Sequence, residues 1–280
     1  MKNKLTDLSR SLVLKTMLFT ALALTAFAAN SVLCRLALGE GAIDASSFTI
    51  IRLLSGIVVL LALLGFSKNK ANSPAKGSWY ASLMLFIYAI TFSFAYISLD
   101  TSTGALILFG SVQMTMIAVN LYSGNRLHRS EWVGVAIAFS GFIYLILPDI
   151  TTPSVMGFLL MAVSGIAWGL YTLSGRGSSN PLRDTAYNSL RTLPAVIVLA
   201  IVTIQYAHYS PEGILLAVLS GGIASGVGYT LWYIALGGLS VTQAAVLQLL
   251  VPVIAAVGGI LFVSESITLR LAMASAMILG

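Results

Sequence analysis

The sequence predicts an all-α integral membrane protein of ten transmembrane helices, arranged as two inverted five-helix repeats. Three observations carry this reading. Of the 280 residues, 58% are hydrophobic and 9% charged, against roughly 45–50% and about 25% in soluble domains. Apolar runs of about 20 residues, the length that crosses a hydrocarbon core of about 30 Å as helix, follow one another from Thr16 to the end with only short interruptions. Segments of the first half also recur in the second, in the same order, at offsets of 137 to 141 residues.

The elements follow in chain order. Helix 1 is expected over 16–37, behind the basic stretch "KNKLTDLSRSLVLK". That stretch and "AFAAN" resemble a signal peptide with its cleavage site. Apolar sequence nevertheless continues past Asn30 to Leu38, and nine further runs follow, so the segment reads as a span. Helix 2 covers 46–66 and carries Arg52; helix 3 covers 79–99, stopping before Asp100; helix 4 covers 102–122. Helix 5, over 131–147, lies between "GNRLHRS" and "PDITTP", and helix 6, over 155–174, ends at "SGRGSSNP". Helices 7, 8 and 9 are expected over 185–205, 213–236 and 241–262. The run from 267 has about 14 residues, roughly 21 Å at 1.5 Å each, so the chain is expected to stop inside its tenth helix. Helix is preferred to barrel strand because the runs are continuous rather than alternating, and a spanning helix satisfies its own backbone groups.

The net charge of +6 matters less than its distribution. Lys2, Lys4, Arg10, Lys15, then Lys68, Lys70, Lys76, then Arg126, Arg129, and then Arg176, Arg183 alternate with connections holding Glu40, Asp44, Asp100, Asp149 and Glu212. All the basic connections fall on one side. The positive-inside rule puts both termini in the cytoplasm, as expected of a multi-pass protein of a bacterial-type inner membrane. The partners implied are the lipid bilayer and a small-molecule substrate, with no nucleic acid; the oligomeric state is left open. Cys34 stands alone and allows no internal disulfide.

The repeat divides the chain into 1–150 and 151–280. "FAANSVLCR" ending at Arg35 matches "WGLYTLSGR" ending at Arg176; "YISL" at Tyr96 matches "YIAL" at Tyr233; "TGALIL" from Thr103 matches "TQAAVL" from Thr242; "GNRL" from Gly124 parallels "SESI" from Ser264. Arg52, inside "FTIIRLLSGIVVL", has its counterpart in Arg191, inside "YNSLRTLPAVIVL". Five helices per half force the second half to run upside down. Inverted repeats recur in secondary transporters, with the substrate near the midplane between the halves and alternating access by rocking of one half against the other. Arg52 and Arg191 then lie near opposite helix ends. They are expected to act as interfacial anchors by snorkelling, or in gating and substrate attraction.

These residues resemble the drug/metabolite transporter superfamily of EamA type. The resemblance rests on "FAANSVLCRLAL", "TIIRLLSG", "AYISLDTSTGALIL", "AWGLYTLSGR" and "YIALGGLSVTQAAVLQLLVPVIAAVGGILFVSES", with Pro252 and Glu265 where such sequences carry them. The usual first-repeat Trp is Phe27 here, the helix 4 Pro is Gln113, and the following Glu is Asn125. The resemblance implies a ten-helix inner-membrane carrier of two inverted repeats, nearest to exporters of amino acids, aromatic ones included.

Polar groups inside a span are the default site candidates. Helix 4 carries Thr103, Gly110, Gln113 and Asn120 on one face, and helix 9 carries Thr242, Gln248, Pro252 and Gly259. Glycines allow close helix approach, and Pro252 frees a carbonyl inside the span. Tyr88, Phe92 and Tyr96 of helix 3 and Tyr229 and Tyr233 of helix 8 form an aromatic stripe. With Asn30, Trp168 and Tyr171 they are candidates to line an amphipathic pocket, unless they form an interfacial belt. The candidate substrate-binding residues are therefore Asn30, Tyr88, Tyr96, Gln113, Trp168, Tyr171, Tyr229 and Gln248, with Arg52, Arg191 and Pro252 as structural or gating residues. Every acid, and both His128 and His208, lies in a loop or near a helix end. This favours facilitated export, or coupling through Asp100 or Glu265. Glu265 and Arg270 alternatively form a plain surface pair. No cofactor or metal pattern is expected, and the absence of HExxH and GxSxG argues against an enzyme. A multidrug, nucleotide-sugar or lipid carrier of the same fold, and a non-transporting receptor or scaffold, are the alternatives.

Overall fold

The computed structural model describes residues 2–66, 76–124, 129–147 and 153–279. Lys68, Lys70, Asn125, Arg126, His128 and Asp149 lie outside the described residues. The helices in order are α1 Lys2–Gly39, α2 Ala45–Phe66, α3 Trp79–Ala95, α4 Thr101–Tyr122, α5 Arg129–Ile146, α6 Val155–Gly175, α7 Pro181–Leu190, α8 Leu193–Thr203, α9 Pro211–Leu219, α10 Gly228–Leu236, α11 Val241–Gln248, α12 Leu250–Val263 and α13 Leu269–Leu279. A π-helical segment, Ser220–Val227, joins α9 to α10. Among the described residues the one element of β pairing is an isolated bridge between Ile43 and Tyr209.

Among the described residues, seven stretches are long and apolar enough to cross a membrane: Val13–Gly39, Ala45–Phe66, Thr101–Tyr122, Val155–Gly175, Pro181–Tyr206, Pro211–Leu236 and Gln243–Val263. Trp79–Ala95, Trp132–Leu145 and Leu269–Leu279 are shorter apolar helices. Val58, Leu61, Ile137, Leu159, Ile201 and Leu261 are exposed, the apolar exterior that a lipid environment requires. The protein is an all-helical, multi-pass integral membrane protein.

The helices depart from the expected runs where local chemistry intervenes. Helix 3 stops at Ala95 rather than 99, because the chain turns through Tyr96–Leu99, with Leu99 N–H donating to Ala95 C=O at 3.1 Å. The run over 185–205 starts at Pro181 and breaks at Arg191–Thr192. Pro194 has no N–H for the Leu190 carbonyl, and its ring crowds that carbonyl. The same argument at Pro252 leaves the Gln248 carbonyl without its helical donor and separates α11 from α12 at Leu249. The run over 213–236 opens into the wider π turn along "SGGIASGV".

Packing brings early helices against late ones. α3 and α4 lie on α6, α1 lies on α10 and α12, α5 lies on α13, and α2 lies on the π segment. Gly221 permits that last approach, since a Cβ there would stand 1.9 Å from the Arg52 carbonyl oxygen.

Candidate functional site

The site grows from the junction of α1, α2 and α3 with α6, the π segment, α10 and α11. Arg52 lies seven residues into α2, about 10 Å along its axis at the helical rise, and is 1% exposed. Its Nη2 donates to Tyr88 Oη at 2.8 Å and to Tyr229 Oη at 2.9 Å, while Nε donates to Ser225 Oγ at 3.3 Å. The guanidinium carbon also stands 5.0 Å and 4.8 Å from the ring centres of Tyr88 and Phe92, close enough for cation–π attraction. Arg52 is therefore not an interfacial anchor. Its side chain turns inward because three hydroxyl groups and two π faces receive it, whereas snorkelling would leave those groups unfilled.

Burying a guanidinium costs several kcal/mol unless it is paired. Here it is paired only in part. Among the described residues no Asp or Glu forms an ion pair with Arg52, and its Nη1 is buried without a hydrogen-bond partner. Arg52, Gly56, Leu85, Ser189, Ser225 and Tyr229 border a space of ≈ 10 Å³, room for about one water molecule.

The hydroxyl network extends from Arg52 to α1. Asn30 Nδ2 donates to Tyr88 Oη at 3.2 Å, and Ser220 Oγ donates to Asn30 Oδ1 at 2.5 Å. Beside it, Trp168 stands at the centre of an aromatic cluster. Its ring centre lies 4.7 Å from Tyr229, 5.0 Å from Tyr88, 5.3 Å from Phe27 and 5.4 Å from Tyr171. The indole N–H donates to Gln248 Oε1 at 3.0 Å, and Gln248 Nε2 donates in turn to Ala244 C=O at 3.2 Å. Among the described residues, Tyr171 Oη and Trp232 Nε1 are buried with no hydrogen-bond partner, an arrangement that leaves polar groups spare inside an apolar wall.

Asn30, Tyr88, Trp168, Tyr171, Tyr229 and Gln248 are thus brought together, and all are buried, which excludes the interfacial belt. Tyr96 is not brought in: it packs on Phe92 at 4.8 Å and donates to the Thr101 carbonyl at 3.2 Å. Gln113 is half-buried and has no hydrogen-bond partner among the described residues. Arg191 caps α7, donates to the Lys76 carbonyl and lies over Trp79 and Tyr187. The Glu265–Arg270 pair does not form. Glu265 reaches Thr101 and stands 3.5 Å from Arg35, while Arg270 donates to the Tyr144 and Leu147 carbonyls. Ser220, Ser225 and Phe27 were not expected at the site. The signal for the serines was "SGGIASGVGY", which sets Ser225 and Tyr229 one turn apart.

Two loop contacts frame the junction at opposite ends. Asp44 caps α2 through Ser47 N–H at 2.9 Å and accepts the His208 N–H at 2.8 Å. Asp184, 140 positions later, accepts the Gly77 N–H at 2.8 Å and the Ser178 hydroxyl at 2.6 Å.

Comparison with known proteins agrees with this architecture. Residues 155–280 match the EamA-like transporter family. An uncharacterized protein of Pseudomonas aeruginosa is 46% identical over 266 residues, covering 95% of this chain and 92% of the relative. The threonine/homoserine exporter RhtA of Escherichia coli is 30% identical over 160 residues, covering 54% of this chain and 52% of that exporter. A solved crystal structure with 18% identity matches at a TM-score of 0.64 over 97% of this chain and 95% of its own, which supports the fold alone. These relatives indicate a membrane transporter. The chain belongs to the EamA-like transporter family.

Proposed function

We propose that the protein is an inner-membrane secondary transporter that exports small amphipathic metabolites, amino acids first among them and aromatic ones included. Ten helices form two inverted five-helix repeats, 1–150 and 151–280, with both termini cytoplasmic. Alternating access operates at the junction between the repeats. The observation that carries this reading is the Trp168 cluster. Phe27, Asn30 and Tyr88 come from the first half, and Trp168, Tyr171, Tyr229 and Gln248 from the second. Flat π faces beside hydroxyl and amide groups suit a solute with one apolar and one polar end.

The reciprocal Asp44 and Asp184 contacts support the inverted arrangement. Each aspartate of one half holds a backbone N–H from a loop of the other half, His208 in one case and Gly77 in the other. The likeness to RhtA, a threonine/homoserine exporter, supports amino acids as the solute class. Facilitated transport fits the acids near the junction, since Asp44, Asp100, Asp184 and Glu265 all stand at helix ends.

The test is efflux from proteoliposomes preloaded with a panel of labelled amino acids, with and without an imposed pH gradient. Release that is independent of the gradient, and lost in Trp168→Ala and reduced in Gln113→Ala, is expected. Failure to move any amino acid overturns the substrate reading, and gradient-driven transport overturns facilitation.

A further inference from the structure

Resting on the reading of the chain as a metabolite exporter, the geometry points to Arg52 as the group that binds the carboxylate of the solute. Three features converge on it. The side chain is 1% exposed and permanently charged, yet its nearest hydrogen-bond partners are the neutral hydroxyl groups of Tyr88, Tyr229 and Ser225. Hydroxyl oxygens and π faces solvate the cation without cancelling its charge. Its Nη1 is a donor sealed from solvent with no acceptor among the described residues, which a native structure rarely leaves unfilled. The space that Arg52 borders is also flanked by Ser189 and Ser225, two hydroxyl donors beside the same guanidinium.

These features select the chemistry of the ligand. A planar guanidinium fork with two neighbouring hydroxyls matches a carboxylate, whose two oxygens accept in parallel. Trp168 stands against Tyr88 and Tyr229, the two phenols that hold Arg52. A solute anchored by its carboxylate at Arg52 thus meets the aromatic cluster with its side chain. The space at ≈ 10 Å³ holds one water and no solute, so a solute reaches Arg52 only when that space widens. Loading requires α2 and the π segment to part, which exposes Nη1 to the arriving anion. The bound carboxylate supplies the charge that Arg52 lacks, and the pair is neutral.

The experiment compares acids with their amides on the full chain in detergent. L-phenylalanine and L-threonine are titrated against L-phenylalaninamide and L-threoninamide, with binding read as thermal stabilisation and by isothermal titration. Loss of one charge-assisted hydrogen-bonded contact corresponds to roughly 10- to 100-fold weaker binding, so the amides are expected to bind that much more weakly. This comparison needs no variant. Arg52→Gln is expected to abolish the preference for acid over amide. Arg52→Lys, which keeps the charge and the fold, is expected to keep a reduced preference. Equal binding of acid and amide by the native chain overturns the assignment while leaving the exporter reading intact. An acid preference that persists in a folded Arg52→Gln also overturns it. No binding of any acid, together with no efflux, sinks both.

Discussion

Glu265 and Thr101 are joined by three hydrogen bonds that close the start of α4. The backbone N–H of Thr101 donates to both carboxylate oxygens, at 2.8 and 3.0 Å, and its hydroxyl donates to Oε1 at 3.0 Å. Glu265 follows Ser264, whose left-handed backbone (φ 57°) ends α12 and turns the chain toward α4. A residue 164 positions away therefore performs the capping that Asp100, at the N-cap itself, leaves undone with its side chain.

Glu265→Ala is expected to lower the stability of the detergent-solubilised protein by about 1–2 kcal/mol, the range of a lost cap. Glu265→Gln should lose less, because the amide oxygen still accepts from Thr101. The check is the thermal unfolding midpoint of the two variants against the parent.

The indole of Trp168 and the amide of Gln248 depend on each other. Gln248→Leu leaves the buried N–H unpaired and should cost about 1–3 kcal/mol. Trp168→Phe in the same background removes the orphan, so the double variant is expected to cost less than the sum of the singles. Denaturation midpoints of the four proteins in the cycle test this, and equal additivity would refute the coupling.

Gly221 and Gly65 make a matched pair. A Cβ at Gly221 meets the Arg52 carbonyl oxygen at 1.9 Å and Ser55 Oγ at 2.1 Å, whereas one at Gly65 meets nothing within 4 Å. Gly221→Ala should destabilise by about 1–3 kcal/mol, the cost of overpacking, and slow efflux. Gly65→Ala should be neutral or slightly stabilising, through the reduced freedom of the unfolded chain.

Asp44 makes stability depend on pH at the acid end. Burial opposes its ionised form, but hydrogen bonds from the Ser47 side chain and from the backbone N–H groups of His208, Ser47 and Ser46 outweigh it. They hold the carboxyl below its usual 3.8. A depressed carboxyl stabilises the fold fully above its unfolded value of about 3.9. That stabilisation is lost as the pH falls through the lower folded value. Unfolding midpoints should therefore drop from about pH 4 downward, and Asp44→Asn should flatten that drop while lowering the midpoint at neutral pH. An unchanged profile in Asp44→Asn would remove Asp44 as its source.

The apolar runs made the helices legible, because a membrane span must be continuous and self-satisfied in hydrogen bonds. They made Asn30, Tyr88, Trp168, Tyr229 and Gln248 legible too, since a polar group in such a run stands out against its neighbours. Arg52 stands out in the same way, but of its two readings the interfacial anchor fails. Its position along α2 says how deep it lies, not which way its side chain turns, and its partner Ser225 is 173 positions away. The Arg191 match concealed the difference further: equal sequence spacing put one guanidinium in the core and the other on a loop carbonyl. The break at Pro194 was readable from proline chemistry and was lost in a strongly apolar run. The contact between Glu265 and Thr101 was not readable at all, because it depends on how α12 ends against α4.

The π segment, Ser220–Val227, sets the angular phase of everything after it. Each of its hydrogen-bonded rings holds one residue more than an α turn, so α10 leaves the segment rotated from where a uniform helix would have carried it. That rotation is what faces Tyr229 toward Arg52 and Trp232 toward Phe27. The eight residues thus orient two aromatics at once: the same turn that presents Tyr229 to Arg52 presents Trp232 to Phe27.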